Sequence, residues 1–169
     1  MKKLFCLLII AMMVTSAALA AGLTEFTTTD MDGNTVTQDI FADYDLTIVN
    51  IWGTWCGFCL QEMPEFAGLK TMLPDNVNFI TLCEDAHLDM ELANDILESA
   101  GANFQTLVNT QEIHNQFLYQ FAYLPTTVFL DSEGKTVSFP IIGVPSGDDT
   151  AKAYYDYAMD VLKEMEKDS

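Results

Sequence analysis

The amino-acid sequence predicts an α/β fold in which a central mixed sheet is flanked by helices. Apolar, β-branched runs alternate along the chain with segments of helical periodicity, which is typical of α/β domains. Two of those runs, 46–52 and 77–83, are apolar on both faces, as expected of buried central strands. Two further runs joined by a short turn, 126–130 and 136–142, indicate a closing hairpin that would make the sheet mixed.

The N-terminal part of the predicted domain is a β-hairpin followed by the first central strand. Threonine-rich segments 26–29 and 34–37 flank a turn that contains Gly33, and glycine is favoured in such turns. Residues 39–42 predict a short helical turn, after which 46–52 enters the sheet. We therefore expect an N-terminal hairpin to precede the central sheet.

Helices and strands alternate through the rest of the chain. A helix is predicted over 60–73 from the spacing of its apolar residues, and Pro64 should kink it because proline lacks a backbone donor. A later helix is predicted to end at Gly101, a residue that suits a helix cap. The other predicted elements are a strand at 77–83, a helix at 89–100, a strand at 104–108, a helix at 111–121, the hairpin at 126–142 and a helix at 148–167.

Residues 1–20 have the layout of a secretory signal peptide. Lys2 and Lys3 precede an apolar stretch, and a small-residue segment ends in an A-x-A-type cleavage site at 18–20. The apolar stretch is short for a membrane span, and an uncleaved membrane anchor is the alternative interpretation. We therefore predict an exported protein, periplasmic or otherwise extracytoplasmic, whose residues 21–169 form one domain.

The charge of residues 21–169 narrows the classes of partner. This part carries five lysines, no arginine and 25 acidic residues, which gives a formal net charge of −20. Phosphate backbones are bound by clusters of lysine and arginine, so nucleic acid is not an expected partner, and anionic lipid surfaces are disfavoured for the same reason. The many acidic residues favour solubility or the attraction of basic partners.

Two cysteines separated by two residues are the motif that indicates chemistry. Cys56 and Cys59 stand between the strand 46–52 and the helix predicted to follow it. The start of a helix has unpaired N–H groups and the positive end of the helix dipole, which favour a thiolate, the reactive form of cysteine. The motif therefore predicts thiol–disulfide exchange, with Cys56 as the nucleophile and Cys59 as the resolving thiol.

Two other interpretations of the cysteine pair stay open at this point. The pair could form a purely structural disulfide, although the apolar content of the chain already suffices for a core. It could also offer two thiolates to a metal ion, but no second CxxC or histidine pair follows at zinc-like spacing. We expect neither a metal nor a cofactor.

Residues near the motif are candidates for proton transfer and substrate binding. Glu62 lies three residues after Cys59, hence on the same helix face, where its carboxylate could exchange a proton with the resolving thiol. A solvated helix glutamate is the alternative. Pro125 stands at a strand entrance, and a cis peptide bond there would expose backbone polar groups to an extended substrate. The predicted substrate-binding residues are Trp55, Leu124, Pro125 and Thr126.

The remaining cysteines and the histidines have structural interpretations. Cys83 ends the run 77–83 and is interpreted as a buried free thiol, because cysteine often fills apolar space. His87 and His114 are isolated in the sequence and are interpreted as surface residues. Cys6 lies inside the predicted signal peptide and is given no role.

The chain resembles the thioredoxin superfamily, and more narrowly the exported TlpA/ResA-like thiol–disulfide oxidoreductases. The resemblance rests on the segment 49–59, on Glu62 and Pro64, and on the segment 124–127. It covers nearly all of the predicted domain, including the hairpin and the helix–strand unit near 89–108 that plain thioredoxins lack. It implies a thioredoxin-like fold with an N-terminal β-hairpin and an inserted helix–strand unit.

The resemblance also implies a role for each matching residue. Cys56 matches the exposed attacking cysteine of the family and Cys59 its buried partner, so the two would form a redox-active disulfide. Glu62 matches a glutamate that the ResA-like branch places near the thiols, and Pro125 matches the cis-proline that faces the CxxC. Asn50 stands where thioredoxin has a buried aspartate, which favours Glu62 as the proton-handling group.

These observations predict an exported disulfide reductase. The resemblance implies that a membrane thiol–disulfide donor reduces it and that it reduces disulfides in exported proteins, with apocytochrome c, in cytochrome c maturation, as the suggested substrate class. A monomer is expected.

The alternatives are a disulfide-forming oxidase of the same fold and a copper-carrying assembly factor, whereas a peroxidase is disfavoured because no threonine-rich peroxidatic cysteine motif is present. Gly57 and Phe58 depart from the commoner Gly-Pro or Glu-Pro dipeptide, which leaves the redox poise open.

Overall fold

In the part of the chain that the structure describes, the strands form a two-stranded hairpin and a five-stranded mixed sheet. The computed structural model describes residues 21–147 and 149–168, so the predicted signal peptide at 1–20 lies outside the described residues. The hairpin pairs β1 (Thr27–Thr29) with β2 (Thr35–Thr37) in antiparallel fashion. The sheet has the order β5-β4-β3-β6-β7 and consists of β3 (Leu46–Trp52), β4 (Val77–Cys83), β5 (Gln105–Val108), β6 (Thr126–Leu130) and β7 (Ile141–Ile142).

Strand β3 lies at the middle of the sheet. It runs parallel to β4 and antiparallel to β6, so that Ile48 pairs with Phe79 on one side and with Phe129 on the other. Strand β5 is parallel to β4, and β7 is antiparallel to β6, which makes the sheet mixed as predicted. Every residue of β3 and β4 is buried, because other elements cover both faces of the sheet.

The helices cover the two faces of the sheet unequally. Three of them contribute to the core on one face, together with Trp52 and Phe129 of the sheet, whereas the fourth and the hairpin cover the other face, where Val49 and Phe117 are buried. Among the described residues, no helix is both long and apolar enough to cross a bilayer. The four α-helices within residues 21–147 and 149–168 are α1 (Gly57–Met72), α2 (Met90–Ser99), α3 (Gln111–Gln116) and α4 (Thr150–Asp168), and α3 is the one on the second face.

Helix α1 begins three residues earlier than predicted. Its N-cap is Cys56, whose sulfur accepts a hydrogen bond from the Cys59 backbone N–H, so the first turn starts inside the CxxC motif. The helix continues through Pro64 to residue 72. Helix α2 is followed, as predicted, by Gly101, whose φ of +67° is a conformation that glycine adopts without strain.

Two predicted elements are shorter in the structure. The helix expected over 111–121 ends at Gln116, because the backbone of Phe117 leaves helical values and places its ring in the core against Phe121. A short 3-10 helix at 118–120 follows. The second strand of the closing hairpin, expected over 136–142, is reduced to a bridge at Thr136 and to β7, since Pro140 has no N–H to donate to a ladder.

The C-terminal helix α4 starts later than predicted. The predicted start at Asp148 lies outside the described residues, and the helix begins at Thr150. The Asp149 carboxylate accepts a hydrogen bond from the Lys152 backbone N–H at 2.8 Å, as an N-cap residue does.

The N-terminal hairpin closes the β5 edge of the sheet. The backbone N–H of Met31 donates to the Thr106 carbonyl oxygen at 3.0 Å, and Asp30 forms an antiparallel bridge with Leu107. The Thr28 hydroxyl donates to the carbonyl oxygen of Val108. Strand β5 therefore has a neighbour on each side.

A close approach of two chain segments at Gly134 gives the first testable prediction. Gly134 has φ +74°, and a Cβ atom built on it lies 2.4 Å from the carbonyl oxygen of Leu23. Gly33 has φ +84° but has nothing within 4 Å of such a Cβ, so it is a matched control. We expect Gly33→Ala to lower the free energy of unfolding by about 1 kcal/mol through backbone strain, and Gly134→Ala to lower it by at least about 2 kcal/mol more. Urea denaturation measures both, and equal losses would contradict the prediction.

Candidate active site

The cysteine pair lies at the junction of the central strand and the first helix. Cys56 and Cys59 are joined by a disulfide, with their Cα atoms 5.3 Å apart. Cys56 is the N-cap of α1, and Cys59 lies in the first turn, where its backbone N–H donates to the Cys56 sulfur at 3.2 Å. A negative charge that develops on that sulfur would be stabilised by this N–H group and by the positive end of the helix dipole.

The exposure of the two cysteines differs in part from the expectation. Cys59 is fully buried, as predicted, but Cys56, which was expected to be exposed, retains only 5% of its surface. The N-cap position explains this burial, because it turns the Cys56 side chain back against the first turn of the helix. An incoming sulfur therefore has access to a narrow part of the Cys56 side chain.

Exposed aromatic side chains flank the disulfide. Trp55 and Phe58 are 66% and 67% exposed, which is unusual for rings of this size. A Cβ atom added at Gly53 would lie 3.0 Å from Trp55 Nε1, so the indole rests directly on the Gly53 backbone. Trp55 was predicted to bind substrate, and its position beside Cys56 suits contact with an extended polypeptide.

The loop that leads to Cys56 is held by a carboxylate that the sequence interpretation did not single out. Asp85 follows β4 and accepts hydrogen bonds from the Thr54 backbone N–H at 2.9 Å and from the Thr54 hydroxyl at 2.5 Å. The pKa of Asp85 is lowered because these bonds to the carboxylate outweigh the effect of its partial burial, which by itself raises the pKa. No local sequence pattern connects residues that lie 31 positions apart.

Glu62 is buried on the helix face that it shares with Cys59. Its residue surface is 2% exposed, and its carboxylate accepts hydrogen bonds from Asn50 Nδ2 at 3.0 Å and from the Tyr154 hydroxyl at 2.9 Å. Burial raises the pKa of Glu62 to about 7, and the bonds from Tyr154 and Asn50 offset part of the rise. The alternative of a solvated glutamate is therefore wrong, and Glu62 can take up or release a proton near neutral pH.

The raised pKa of Glu62 predicts a dependence of stability on pH. A carboxyl group with an ordinary pKa of 4.5 and a native pKa of about 7 binds its proton more tightly in the folded state. Its contribution to stability is present below the unfolded pKa and is lost as the pH rises through about 7, a loss of about 3 kcal/mol. We expect the free energy of unfolding of Glu62→Gln, relative to that of the wild type, to rise by about 3 kcal/mol as the pH increases from about 4 to about 8. Urea denaturation across this range measures it. Glu65→Gln, at an exposed position of the same helix, is the control and should show no such gain.

The segment around Pro125 lies at the same edge of the sheet as the CxxC. The Leu124–Pro125 peptide bond is cis. Thr126 pairs with Ile51 of β3, so Pro125 lies at the end of β3 from which the chain continues to Cys56. The Pro125 carbonyl oxygen accepts from the Gly143 N–H at 2.8 Å, and the Thr126 hydroxyl donates to the carbonyl oxygen of Tyr123 at 2.7 Å.

The predicted substrate-binding residues differ in exposure. Leu124 is half-buried, whereas Pro125 and Thr126 are buried, which leaves Leu124 as the accessible member of this segment. Two exposed apolar residues lie close to it. Tyr123 is the preceding residue and Ile142 pairs with Thr126 of β6, and they are 71% and 62% exposed.

Cys83 and the histidines match their sequence interpretations. Cys83 is buried and not part of a disulfide, and burial raises the pKa of its thiol to about 12. Its S–H group donates to Asp85 Oδ1 at 3.4 Å. His87 and His114 are exposed. Among the described residues, no group of three or more His, Cys, Asp or Glu side chains is arranged to hold a metal ion.

Two residues around Glu62 were not singled out from the sequence. Tyr154 of α4 and Thr127 of β6 complete the surroundings of the carboxylate. Tyr154 has the spacing of an ordinary core aromatic, so its hydroxyl gave no signal of its own. Asn50 was singled out through the resemblance, because it stands where thioredoxin has a buried aspartate.

Comparisons with known proteins agree with this architecture. The model of the family described as "AhpC/TSA family" matches residues 20–138. A thioredoxin-like protein of Haemophilus influenzae is 26% identical over 113 residues, which covers 67% of this chain and 64% of the relative's length.

Solved structures share the fold at low sequence identity. A thiol:disulfide interchange protein of the thioredoxin family from Chlorobium tepidum superposes with a TM-score of 0.70 at 18% identity, over 87% of this chain and 99% of that one. A secreted disulfide oxidoreductase of Mycobacterium tuberculosis, described as homologous to E. coli DsbE, superposes with a TM-score of 0.63 at 18% identity, over 83% and 96%. The thioredoxin fold expected from the resemblance is thereby confirmed.

Proposed function

The chain belongs to the AhpC/TSA family, and from this premise we propose that it is a thiol–disulfide oxidoreductase that works as a reductase of disulfides in exported proteins. The oxidoreductase class follows from the family, the thioredoxin fold and the Cys56–Cys59 disulfide at the start of α1. The observation that carries the reductase proposal is Glu62, a buried proton acceptor one helical turn from the resolving cysteine.

The first step is attack by the reduced protein on a substrate disulfide. The Cys56 thiolate, stabilised by the first turn of α1, attacks one substrate sulfur. The substrate S–S bond breaks, a mixed disulfide forms between Cys56 and the substrate, and the departing substrate thiolate takes a proton.

The second step releases the reduced substrate. The Cys59 thiol gives its proton to the ionised Glu62 carboxylate, and the resulting thiolate attacks the Cys56 sulfur. The mixed disulfide breaks, the second substrate thiolate leaves and is protonated, and the Cys56–Cys59 disulfide of the structure forms. Two electrons pass to the substrate, and a dithiol donor must return two electrons to close the cycle.

The surface around the disulfide supports an extended polypeptide as substrate. Trp55 and Phe58, which are neighbours of Cys56 and Cys59 in sequence, have exposed rings, and Tyr123 and Ile142 offer exposed apolar surface near the cis-proline. Leu124 is half-buried and precedes β6, and an extended chain would pair with its backbone groups. Trp55 and Leu124 are accessible for the proposed substrate contacts, whereas Pro125 and Thr126 are buried and would contribute by positioning Leu124.

The proposed setting is outside the cytoplasm. The predicted signal peptide and the secreted Mycobacterium tuberculosis relative support export. Exported proteins with disulfides to be reduced, among them apocytochrome c, are the proposed substrates, and a membrane thiol–disulfide protein is the proposed electron donor.

The reduction potential of the cysteine pair tests the direction of electron flow. We expect a value near that of thioredoxin, about −270 mV, measured by equilibration with glutathione or dithiothreitol buffers. A value near about −120 mV would instead identify a disulfide-forming oxidase. Tight Cu(I) binding by the reduced protein that is lost in Cys56→Ser would support the copper-carrier alternative.

A further inference from the structure

Four buried side chains from four elements form a closed ring of hydrogen bonds. Asn50 of β3 donates through Nδ2 to Glu62 Oε1 at 3.0 Å and to Thr127 Oγ1 at 2.9 Å. Thr127 of β6 donates to the Tyr154 hydroxyl at 3.3 Å, and Tyr154 of α4 donates to Glu62 Oε2 at 2.9 Å. Each of the four residues is at most 2% exposed, so water does not reach the ring from outside.

When Glu62 is ionised, every polar hydrogen of the ring has a hydrogen-bond acceptor. The two N–H groups of Asn50, the hydroxyl of Thr127 and the hydroxyl of Tyr154 are four donors, and each has an acceptor within the ring. The carboxylate accepts from two neutral groups. Its charge is therefore balanced inside the ring by hydrogen bonds rather than by a cation.

The protonated form of Glu62 needs an acceptor that one member of the ring can provide. Asn50 Nδ2 can only donate, so it cannot accept the carboxyl proton. The Tyr154 hydroxyl can donate or accept, and a rotation about its C–O bond turns it from Glu62 toward Thr127 Oγ1. Tyr154 then accepts from the carboxyl group and donates to the second lone pair of Thr127 Oγ1, and the hydrogen bond that Thr127 donates to Tyr154 is broken.

We propose that Tyr154 is the positioning residue for proton transfer at Glu62, because its hydroxyl donates to the ionised carboxylate and reverses to accept from the protonated carboxyl group. This inference rests on the proposed function, in which Glu62 exchanges a proton with Cys59. It extends the site beyond the CxxC helix, since Tyr154 lies on the C-terminal helix, 92 residues from Glu62 in sequence.

Removal of the Tyr154 hydroxyl has an effect of definite sign. A hydrogen bond to a charged carboxylate is stronger than one to a neutral carboxyl group. Tyr154→Phe therefore destabilises the ionised form of Glu62 more than the protonated form. The titration midpoint of Glu62 should rise by about one pH unit. At pH 7 the fraction of ionised Glu62 would fall about fivefold, and the resolving step should slow by the same factor and recover at higher pH.

The experiment uses two readouts and one matched control. The carboxyl carbon of Glu62 is titrated by 13C NMR in the oxidised protein, where neither Cys56 nor Cys59 ionises. The reduced protein is reacted with the aromatic disulfide DTNB, which releases one thionitrobenzoate in the first attack and a second in the resolving step. The rate of the second release is measured as a function of pH. Tyr157→Phe is the control, because this tyrosine is on the same helix and its hydroxyl donates to the Phe139 carbonyl oxygen, away from the ring.

The outcomes separate this inference from the proposed function. If Tyr154→Phe leaves unchanged both the titration midpoint of Glu62 and the pH profile of the resolving step, the proposed role of Tyr154 is wrong. If Glu62→Gln also leaves the pH profile of the resolving step unchanged, the proposed role of Glu62 itself fails. In the wild-type protein, the 13C chemical shift of the Tyr154 Cζ atom, which bears the hydroxyl, should change with pH at the same midpoint as that of Glu62. A Cζ shift that does not change with pH would overturn the inference without any substitution.

Discussion

We expect replacement of Cys56 by serine to abolish the proposed protein-disulfide reduction. The serine hydroxyl is not ionised at neutral pH and cannot form the mixed disulfide, so the hydrogen bond and the helix dipole at the N-cap have no thiolate to stabilise. We expect the rate of insulin reduction, with dithiothreitol as donor, to fall by on the order of 10³-fold or more, to the rate without protein.

Two further cysteine variants make this result specific. Cys83→Ser should retain nearly full activity, because the Cys83 thiol is buried and its pKa is raised to about 12. Cys59→Ala should retain the first attack but not the release, so covalent adducts with substrate should accumulate and be visible on non-reducing gels. Activity that survives in Cys56→Ser, or that disappears in Cys83→Ser with the fold intact, would contradict the assignment of the nucleophile.

Replacement of Phe66 by alanine should lower the free energy of unfolding by about 3–5 kcal/mol. Phe66 is fully buried on α1, and its ring lies 4.9 Å from the ring of Phe79, 5.9 Å from that of Phe104 and 5.7 Å from that of Tyr154. The substitution removes these contacts and leaves a cavity between α1, the sheet and α4. Urea denaturation followed by circular dichroism measures the loss.

The controls for this prediction vary size and exposure separately. Phe66→Leu leaves most of the volume filled and should be much less destabilising than the alanine variant. Phe139→Ala removes the same group from a site that is 66% exposed and should change stability by no more than about 0.5 kcal/mol. A loss below about 1 kcal/mol in Phe66→Ala would contradict the packing described here.

The parts of the fold that were predictable from sequence are those fixed by local pattern. Strands β3 and β4 have the predicted bounds, because each is a continuous apolar run that must be covered on both faces. The hairpin around Gly33 and the helix before Gly101 also follow local rules, since both glycines have positive φ. The CxxC motif likewise fixed the position of the disulfide at a helix start.

The remaining differences arise from contacts between distant parts of the chain. The break at Phe117 depends on a place in the core for its ring, which no window of sequence contains. The early start of α1 depends on a sulfur atom acting as the cap, which is not a usual cap signal. The hydroxyl of Tyr154 reaches Glu62 only because α4 packs beside α1, so the ring around the carboxyl group could not be derived from residue spacing.

The covering of β5 by the N-terminal hairpin has a consequence for self-association. An open strand edge recruits other chains through unpaired backbone groups. Here one edge is occupied by residues 28–31, and the other ends in a strand of only two residues. Both margins of the sheet are therefore covered or short, and we expect removal of residues 21–37, which uncovers β5, to promote thioflavin-binding aggregates.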